Sequence, residues 1–403
     1  MSEHSPADAY RKLLNRAERV GALETIDNLL FWDQQVMMPS GGTPARSTQR
    51  GLVSSLQHEA FTGDDVEAWL EAVADADLDD DQQAVVREVR REHERKATVD
   101  RDLTEEINAV ISEANDAWEE AKANDDFDTF APYLEELLEL KREQANQIDP
   151  DAEPFAVMLE EYEPYVGVDT VERVLENLKE ALVPLIDEIR ASDVDPSGPF
   201  VERGPYDEDT QMALSEDALS FVQCDWDRAR LDTSPHPFSY GNRYDMRITT
   251  RFHDHSPVDG LDSSLHEYGH ATYEMGLDED GFPGPLGQSR SHSIHESQSR
   301  FWENHVGRSE AFWEQFLPIV QKHFPRLSDV GPREAYEAAN QVYEDNLTRV
   351  EADEVTYHLH IVVRFEIERA LLNGELAVED VPEVWNDKYE QYLGIRPDTD
   401  SEG

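Results

Sequence analysis

The sequence contains one cysteine, few lysines and no long hydrophobic run. With Cys224 alone, an internal disulfide is excluded, and we expect this residue to be a small buried hydrophobe. No apolar stretch approaches the ~20 residues that a membrane span requires. The N-terminal residues lack the basic region and apolar core of a secretory signal. We therefore expect a cytoplasmic protein with no membrane partner.

Positive charge is also scarce, because 35 basic residues accompany 89 acidic ones and the formal net charge is −54. Such a surface repels nucleic acid and anionic membranes, which excludes both as partners. Repulsion within the chain is strong at low ionic strength, but at molar salt the Debye length falls to ~3 Å and the repulsion is largely screened. Only seven of the basic residues are lysines. The acidic excess and the preference for arginine are typical of a cytoplasmic protein from a halophile.

Helical periodicity dominates the apolar pattern, beginning with a helix over residues 6–36. Further helices are predicted over 45–60, 62–75, 80–97, 100–124, 127–147 and 169–191. Residues 242–254 differ, because apolar and polar residues alternate there as they do in a strand. No internal repeat or low-complexity linker interrupts the chain. The pattern predicts a mainly α protein, organised as a single domain over residues 1–403.

A His-Glu-x-x-His motif occupies residues 266–270. Histidines at positions i and i+4 lie on one helix face, so His266 and His270 can bind one metal ion. Glu267 then lies beside the ion, where it can take a proton from water. Gly276 is expected to end this helix. Residues suited to capping its start are Asp262, Ser263 and Ser264.

The third metal ligand is not decided by position alone. A metzincin would place glycine and histidine where this chain has Tyr273 and Gly276, so that class is excluded. A Gly/Pro-rich loop over 281–287 is long enough to reverse the chain, and a helix is predicted after it. This helix offers three candidate ligands: Glu296, His292 and His295.

Several motifs, taken together, resemble the carboxypeptidase Taq family of metallocarboxypeptidases, peptidase family M32. The matching segments are residues 32–39, His236-Pro237-Phe238, Asp245-x-Arg247-x-Thr249, residues 266–270, His295-Glu296-Ser297-Gln298 and Arg349-x-x-Ala352-Asp353. The resemblance implies that Glu296 is the third ligand. It also implies a large, two-lobed, gluzincin-type helical fold with a deep cleft, a small sheet beside the metal helix, peptide substrates and a homodimer.

An exopeptidase also needs a cation that binds the terminal carboxylate of its substrate, and arginine does so with a bidentate fork. The family motif points to Arg349, with Arg247 as the second choice, and to His236 as a group that polarises the scissile carbonyl. Supporting roles around the site are expected for Asp245, His295 and Asp353. The expected ion is Zn²⁺, with Co²⁺ or Mn²⁺ as alternatives.

Three functions stay open at this point. The chain is expected to be a carboxypeptidase that uses Glu267 as general base. An endo-acting oligopeptidase on a similar helical scaffold is the second possibility. The third is a metal-binding but catalytically impaired chain, because the family continues beyond the point that corresponds to Gly403. On that comparison we expect a C-terminally shortened chain with part of its substrate-binding wall missing.

Overall fold

A computed structural model describes residues 5–192, 198–343 and 347–402 of the chain. It is 71% helical, which confirms the predicted fold class. Compact packing divides the chain into two units. The first comprises Met1–Ala97 and Ser197–Ala339, and the second comprises Thr98–Pro196 and Asn340–Gly403. The expectation of a single domain over 1–403 stays a prediction.

Fifteen α-helices lie within the described ranges. In chain order they are α1 Pro6–Val36, α2 Thr43–Thr62, α3 Asp64–Val73, α4 Asp80–Thr98, α5 Arg101–Asn124, α6 Phe127–Ile148, α7 Pro154–Tyr162, α8 Val168–Arg190, α9 Glu208–Phe221, α10 Val258–Gly276, α11 His292–Arg300, α12 Glu310–His323, α13 Pro332–Ala339, α14 Glu354–Leu372 and α15 Val381–Leu393. The seven helices predicted between residues 6 and 191 all occur within two residues of their expected bounds.

Helix α1 illustrates why the ends of these helices could be predicted from the sequence. Its start is capped by Ser5, whose hydroxyl accepts a hydrogen bond from the amide of Asp8, and a proline occupies the first turn. Leu13 and Val20 are buried seven residues apart on one face, in a core shared with α3 and α4. Periodic burial and local capping are both local properties, so the sequence displays them directly.

Three short strands form a sheet in the first unit: β1 Ala229–Thr233, β2 Ser239–Asn242 and β3 Asp245–Thr250. The central strand is β3, which pairs in parallel with β1 and antiparallel with β2. The strand predicted over 242–254 is therefore real but shorter, and its two partners were not predicted. They are only five and four residues long, so neither carries enough residues for a periodic signal to stand out.

The sheet packs against α10. Met246 and Ile248 of β3 are fully buried with Leu261 and Leu265 of α10 in the main core of the first unit. The Thr250 hydroxyl donates a 3.1 Å hydrogen bond to the carbonyl of Gly260. This contact confirms that a small sheet lies beside the helix that carries the His-Glu-x-x-His motif.

The second unit has its own hydrophobic core. Leu359, Val363 and Ile367 of α14 are buried together with Tyr389 of α15. The Arg369 guanidinium binds Glu153 at 2.7 and 3.2 Å, and so connects α14 to the start of α7. This unit therefore has the apolar interior and paired surface charges of a compact body.

The structure bears on two predictions from composition, which concern membrane-spanning helices and the single cysteine. Among the described residues, no helix is long and apolar enough to cross a membrane. Cys224 is buried in the core of the first unit, and burial raises the pKa of its thiol to about 11. The cysteine is therefore a buried hydrophobe, as predicted, rather than a nucleophile.

Candidate metal centre

The His-Glu-x-x-His motif lies in the middle of α10. The helix begins two turns before the motif, after Pro257, so the predicted cap at residues 262–264 is wrong. Asp262 and Ser264 are instead buried inside the helix, where Ser264 donates a hydrogen bond to the carbonyl of Gly260. The predicted end at Gly276 is confirmed. Polar residues are typical of a helix N-cap, but Asp262 and Ser264 use their polar groups for contacts inside the protein.

Gly269, within the motif, allows α11 to approach α10 closely. A Cβ atom at this position would lie 2.4 Å from both the Gln298 carbonyl oxygen and the Ser299 Cα atom. Any side chain would therefore push the backbone of α11 away. Because Glu296 lies one turn before this contact, the glycine sets how near its carboxylate comes to the two histidines. Gly269 occupies a position that the motif leaves variable, so no role for it was predicted.

The side chains of His266, His270 and Glu296 converge. The Glu296 Oε2 atom lies 3.4 Å from the Nε2 atom of His270 and 3.7 Å from the Nε2 atom of His266. These are the only three His, Cys, Asp or Glu residues in the described ranges whose ligand atoms cluster within 4.8 Å of one another. The residues named from the sequence as metal ligands are therefore brought together by the fold.

This donor set fits a divalent metal ion. Two ligands that each lie about 2.1 Å from a tetrahedral ion are about 3.4 Å apart, which matches the spacing of the nitrogen and oxygen atoms here. Two imidazoles and one carboxylate leave a fourth position for water or substrate. The geometry is that of a hydrolytic metal centre rather than a closed structural site.

The carboxylate of Glu296 is held in place by its own helix. Ser299, which is fully buried, donates a 3.0 Å hydrogen bond to the Glu296 Oε2 atom. Burial alone would raise the pKa of Glu296, but the hydrogen bond from His270 and the charge of His266 lower it to about 2. The group is therefore an anion at neutral pH and suited to bind a cation. Ser299 was not predicted to take part.

Glu303 is the most important residue that the sequence analysis missed. Its Oε2 atom lies 2.8 Å from the Nδ1 atom of His266, on the side of the ring opposite Nε2. Burial alone would lower the pKa of His266, but the hydrogen bond and charge of Glu303 raise it to about 9. In an acidic chain nothing marks this glutamate, although its spacing of seven residues from Glu296 places it on the same helical face.

A buried ionic network surrounds Glu303. Arg308 lies 2.8 Å from the Glu303 Oε1 atom and 3.1 Å from Asp262, while Arg300 lies 3.2 Å from the Glu303 Oε2 atom. Despite burial, these cations and His266 lower the pKa of Glu303 to about 2. The network connects the start of α10 to the segment that follows α11.

His295 and His292, the two rival ligands, do not join the cluster. The imidazole of His295 stacks on that of His270, with the ring centroids 4.4 Å apart, and its Nε2 atom lies 3.3 Å from Glu274. His292 lies at the exposed start of α11. Burial lowers the pKa of His270, which favours the neutral form of this ring. His295 therefore contacts a proposed ligand, and the supporting role expected for it stays a prediction.

Arg247 and Asp245, two residues apart on β3, form an ion pair. Two hydrogen bonds of 2.6 and 2.7 Å join them, and the guanidinium lies 4.5 Å from the ring centre of Trp32. The Arg247 fork is therefore occupied by a carboxylate of the chain itself. Thr249 points into the protein and bonds Ser234 and the backbone of Phe238. A substrate-binding role for Arg247 stays a prediction.

The remaining predicted site residues lie outside the ligand cluster. His236 is exposed in the loop between β1 and β2. Asp353 caps α14 and accepts hydrogen bonds from the amides of Val355 and Thr356. Arg349 lies in a short 3₁₀ turn of the second unit and donates a 2.9 Å hydrogen bond to the Tyr357 hydroxyl. The functional roles expected for these residues stay predictions.

A mainly helical fold that presents His-Glu-x-x-His on one helix and a third carboxylate on the next defines a metallopeptidase. The model of the carboxypeptidase Taq (M32) metallopeptidase family matches residues 12–403. The chain belongs to this family, as the resemblance in its motifs indicated.

Curated relatives and solved structures agree. The chain is 38% identical to thermostable carboxypeptidase 1 of Thermus thermophilus, over 98% of this chain and 79% of that protein. It is 35% identical to carboxypeptidase 1 of Bacillus subtilis, over 93% of this chain and 75% of that protein. The crystal structure of an M32 carboxypeptidase from Deinococcus radiodurans superposes with a TM-score of 0.93 at 35% identity, covering 98% of this chain and 80% of that one. The protein is thus a metal-dependent carboxypeptidase.

These matches bear on two expectations about the chain. They cover 93–100% of it and 75–81% of each curated relative, and they do not confirm that its C-terminus has been shortened. Nor do they confirm a halophilic source.

Proposed function

We propose that His266, His270 and Glu296 bind one Zn²⁺ ion in the carboxypeptidase centre. The observation that carries this proposal is the convergence of two Nε2 atoms and one carboxylate oxygen at tetrahedral ligand spacing. Imidazole and carboxylate together suit zinc, and Co²⁺ or Mn²⁺ are the alternatives.

The proposed reaction hydrolyses the C-terminal peptide bond with Glu267 as general base. When bound, the ion acts as a Lewis acid that polarises the scissile carbonyl and acidifies water. The Glu267 carboxylate accepts a proton as the water oxygen bonds to the carbonyl carbon. It then donates that proton to the amine nitrogen as the C–N bond breaks. Burial raises the pKa of the Glu267 carboxyl group, so its carboxylate is a stronger proton acceptor than one in water.

Arg349 is the proposed binding group for the terminal carboxylate of the substrate. It is half-buried, and its hydrogen-bond partner is the neutral hydroxyl of Tyr357. Among the described side chains no carboxylate pairs with it, whereas the Arg247 fork is already occupied by Asp245. A guanidinium whose charge is not neutralised is better able to bind an anionic chain end. This contrast favours Arg349 over Arg247.

Blocked peptides test the exopeptidase function. Short N-terminally acetylated peptides should lose single residues from the C-terminus, as followed by mass spectrometry. The same peptides with a C-terminal amide are the matched control and should react slowly, because they lack the carboxylate. Arg349→Ala should slow release from the free acid by roughly 10²-fold, the cost of about 3 kcal/mol for a lost charged contact, and should leave the amide unaffected.

Other outcomes would identify other functions. Internal cleavage of both peptide forms would contradict the exopeptidase function and favour an endo-acting oligopeptidase. A chain that binds the metal but yields no product would be the catalytically impaired form. An equal effect of Arg349→Ala on free acid and amide would remove Arg349 from the carboxylate-binding role.

We also propose that the protein is adapted to high salt, because its net charge of −54 demands screening. The melting temperature should rise by roughly 5–15 °C between 0.05 and 2 M KCl, as the repulsion among acidic groups is screened. Scanning calorimetry measures the shift. NaCl at the same ionic strength should give a similar value, since screening depends on ionic strength. Equal melting temperatures at both salt concentrations would contradict the adaptation.

A homodimer and a cytoplasmic location stay predictions. The first rests on the family resemblance and the second on composition, including a single cysteine that cannot form an internal disulfide. Peptide substrates follow from membership of the family.

A further inference from the structure

The two histidines of the metal centre are held by different contacts. The Nδ1 atom of His266 lies 2.8 Å from the Glu303 Oε2 atom. The Nδ1 atom of His270 is buried and has no hydrogen-bond partner among the described residues, and that ring is instead stacked on His295 at 4.4 Å. We propose that Glu303 is a positioning residue, which holds His266 with its proton on Nδ1 and its Nε2 lone pair directed at the metal ion. This inference rests on the proposed metal site.

The hydrogen bond determines which ring nitrogen carries the proton. An ionised carboxylate can only accept hydrogen bonds, so the His266 Nδ1 atom must be the donor to Glu303. The Nε2 atom of His266 is then unprotonated in the neutral ring, and it faces Glu296 at 3.7 Å. Partners of this kind, on the far side of a ligating histidine, orient the ring and raise its basicity.

Glu303 can hold the ring firmly because its own carboxylate is held at both oxygens. Its Oε1 atom binds Arg308 at 2.8 Å, and its Oε2 atom, besides contacting His266, lies 3.2 Å from Arg300. Arg308 also binds Asp262, which lies one turn before His266 on α10. All these side chains are largely buried, so the ionic contacts are little weakened by solvent.

The backbone around Glu303 is also specialised. After Arg300 the α-helix gives way to a π-helical segment, Phe301–Gly307, which contains Glu303. Such segments are rare and are found frequently at functional sites. Here the change in helical form occurs between the proposed ligand Glu296 and the positioning residue Glu303. One continuous helical run therefore supplies both carboxylates of the centre.

A purely structural ion pair is the competing explanation, since the same network connects α10 to the π-helical segment. The two roles differ in what they change. A structural pair contributes to the stability of the fold but leaves the metal affinity of the folded protein unaltered. A positioning residue changes that affinity even where the fold is intact.

Two substitutions of Glu303 distinguish the effect of its charge from the effect of its side-chain length. Glu303→Gln keeps the length of the side chain but removes its charge, and Glu303→Asp keeps the charge but withdraws it by one methylene group. Both should bind Zn²⁺ about 10–100-fold more weakly than wild type, the range typical for loss of such a partner. Glu314→Gln, at an exposed position of α12, is the matched control and should bind as wild type does.

Affinity is measured on the apoprotein by competition with a chromophoric chelator, after near-UV circular dichroism has shown that each variant is folded. The visible spectrum of the Co²⁺ form gives a second readout, because a misoriented imidazole changes the ligand field. The visible absorption bands of the Co²⁺ form and the Zn²⁺ affinity should both change in the two Glu303 variants. If Glu303→Gln does not fold, Glu303→Asp decides the question, since it leaves a negative charge for Arg300 and Arg308.

Two results would overturn the inference alone. One is an affinity within twofold of wild type in both variants, with an unchanged Co²⁺ spectrum. The other is full affinity in Glu303→Asp with loss only in Glu303→Gln, which would mean that charge matters and orientation does not. If the wild-type protein bound no metal, the proposed metal site would fail and this inference with it.

Discussion

Glu267→Gln is expected to abolish most of the peptidase activity while leaving the metal site intact. Glutamine has nearly the shape of glutamate but cannot accept a proton, so kcat/KM on an acetylated peptide should fall by roughly 10²–10⁴-fold, the usual contribution of a general base. Metal affinity should stay within about twofold of wild type, because Glu267 is not one of the three converging ligands. Steady-state kinetics and metal analysis by mass spectrometry measure the two effects.

The burial of Glu267 makes this test demanding. The residue is only 6% exposed, so a poorly packed substitution would disturb α10 as a whole, and glutamine is the variant of closest size. Glu314→Gln serves as the exposed control for loss of one acidic charge. Should Glu267→Gln retain wild-type turnover, another group must take the proton and Glu267 would lose its assigned role. If Glu267→Gln also lost the metal ion, Glu267 would contribute to metal binding, and the prediction that it acts only as a base would be wrong.

Among the single-residue variants considered, Glu296→Gln is expected to lose the most metal affinity. A neutral amide oxygen is a weaker ligand than a carboxylate, and Glu296 is partly buried, so the loss should be about 3–4 kcal/mol, or roughly 10²–10³-fold in affinity. Activity should fall in parallel and recover in part with excess Zn²⁺. Isothermal titration with the folded apoprotein measures the affinity.

A matched control lies on the same helix. His292→Gln changes a rival candidate ligand that the fold leaves outside the cluster, so metal affinity should not change. Equal losses in the two variants would indicate a general disturbance of α11 rather than the loss of a ligand. An unaffected Glu296→Gln variant would contradict the assignment of the third ligand.

Much of the helical architecture was available in the sequence because its causes are local. The helix predicted over 6–36 occurs as Pro6–Val36, where a serine cap and a regular apolar face act together. The false cap at Asp262 shows the limit of this reasoning. A polar residue before a motif suits a helix start, but Asp262 is polar because it binds Arg308 across the core, a contact 46 residues away in the sequence.

The part of the metal centre that could be predicted is the part that depends on the spacing of residues along one helix. His266 and His270 share a helix face by periodicity alone, whereas Glu296 was one of three candidates until the family resemblance selected it. The fold explains the choice. Gly269 lets the backbone of α11 approach α10, and at that distance the carboxylate of Glu296 reaches the two imidazoles while His292 does not.

By itself the sequence determined the fold class and the helix that carries the two metal-site histidines, because each depends on residues that are neighbours along the chain. Among the 89 acidic residues, only the tertiary structure identified Glu303 and showed the Glu296 carboxylate beside the two histidines. Glu296 and Glu303 are distinguished from the solvated majority by where the packing of α11 and the π-helical segment against α10 places them. Periodicity reports which face a side chain occupies, but the atom that it meets there depends on how closely two helices pack, and that is a property of the assembled core.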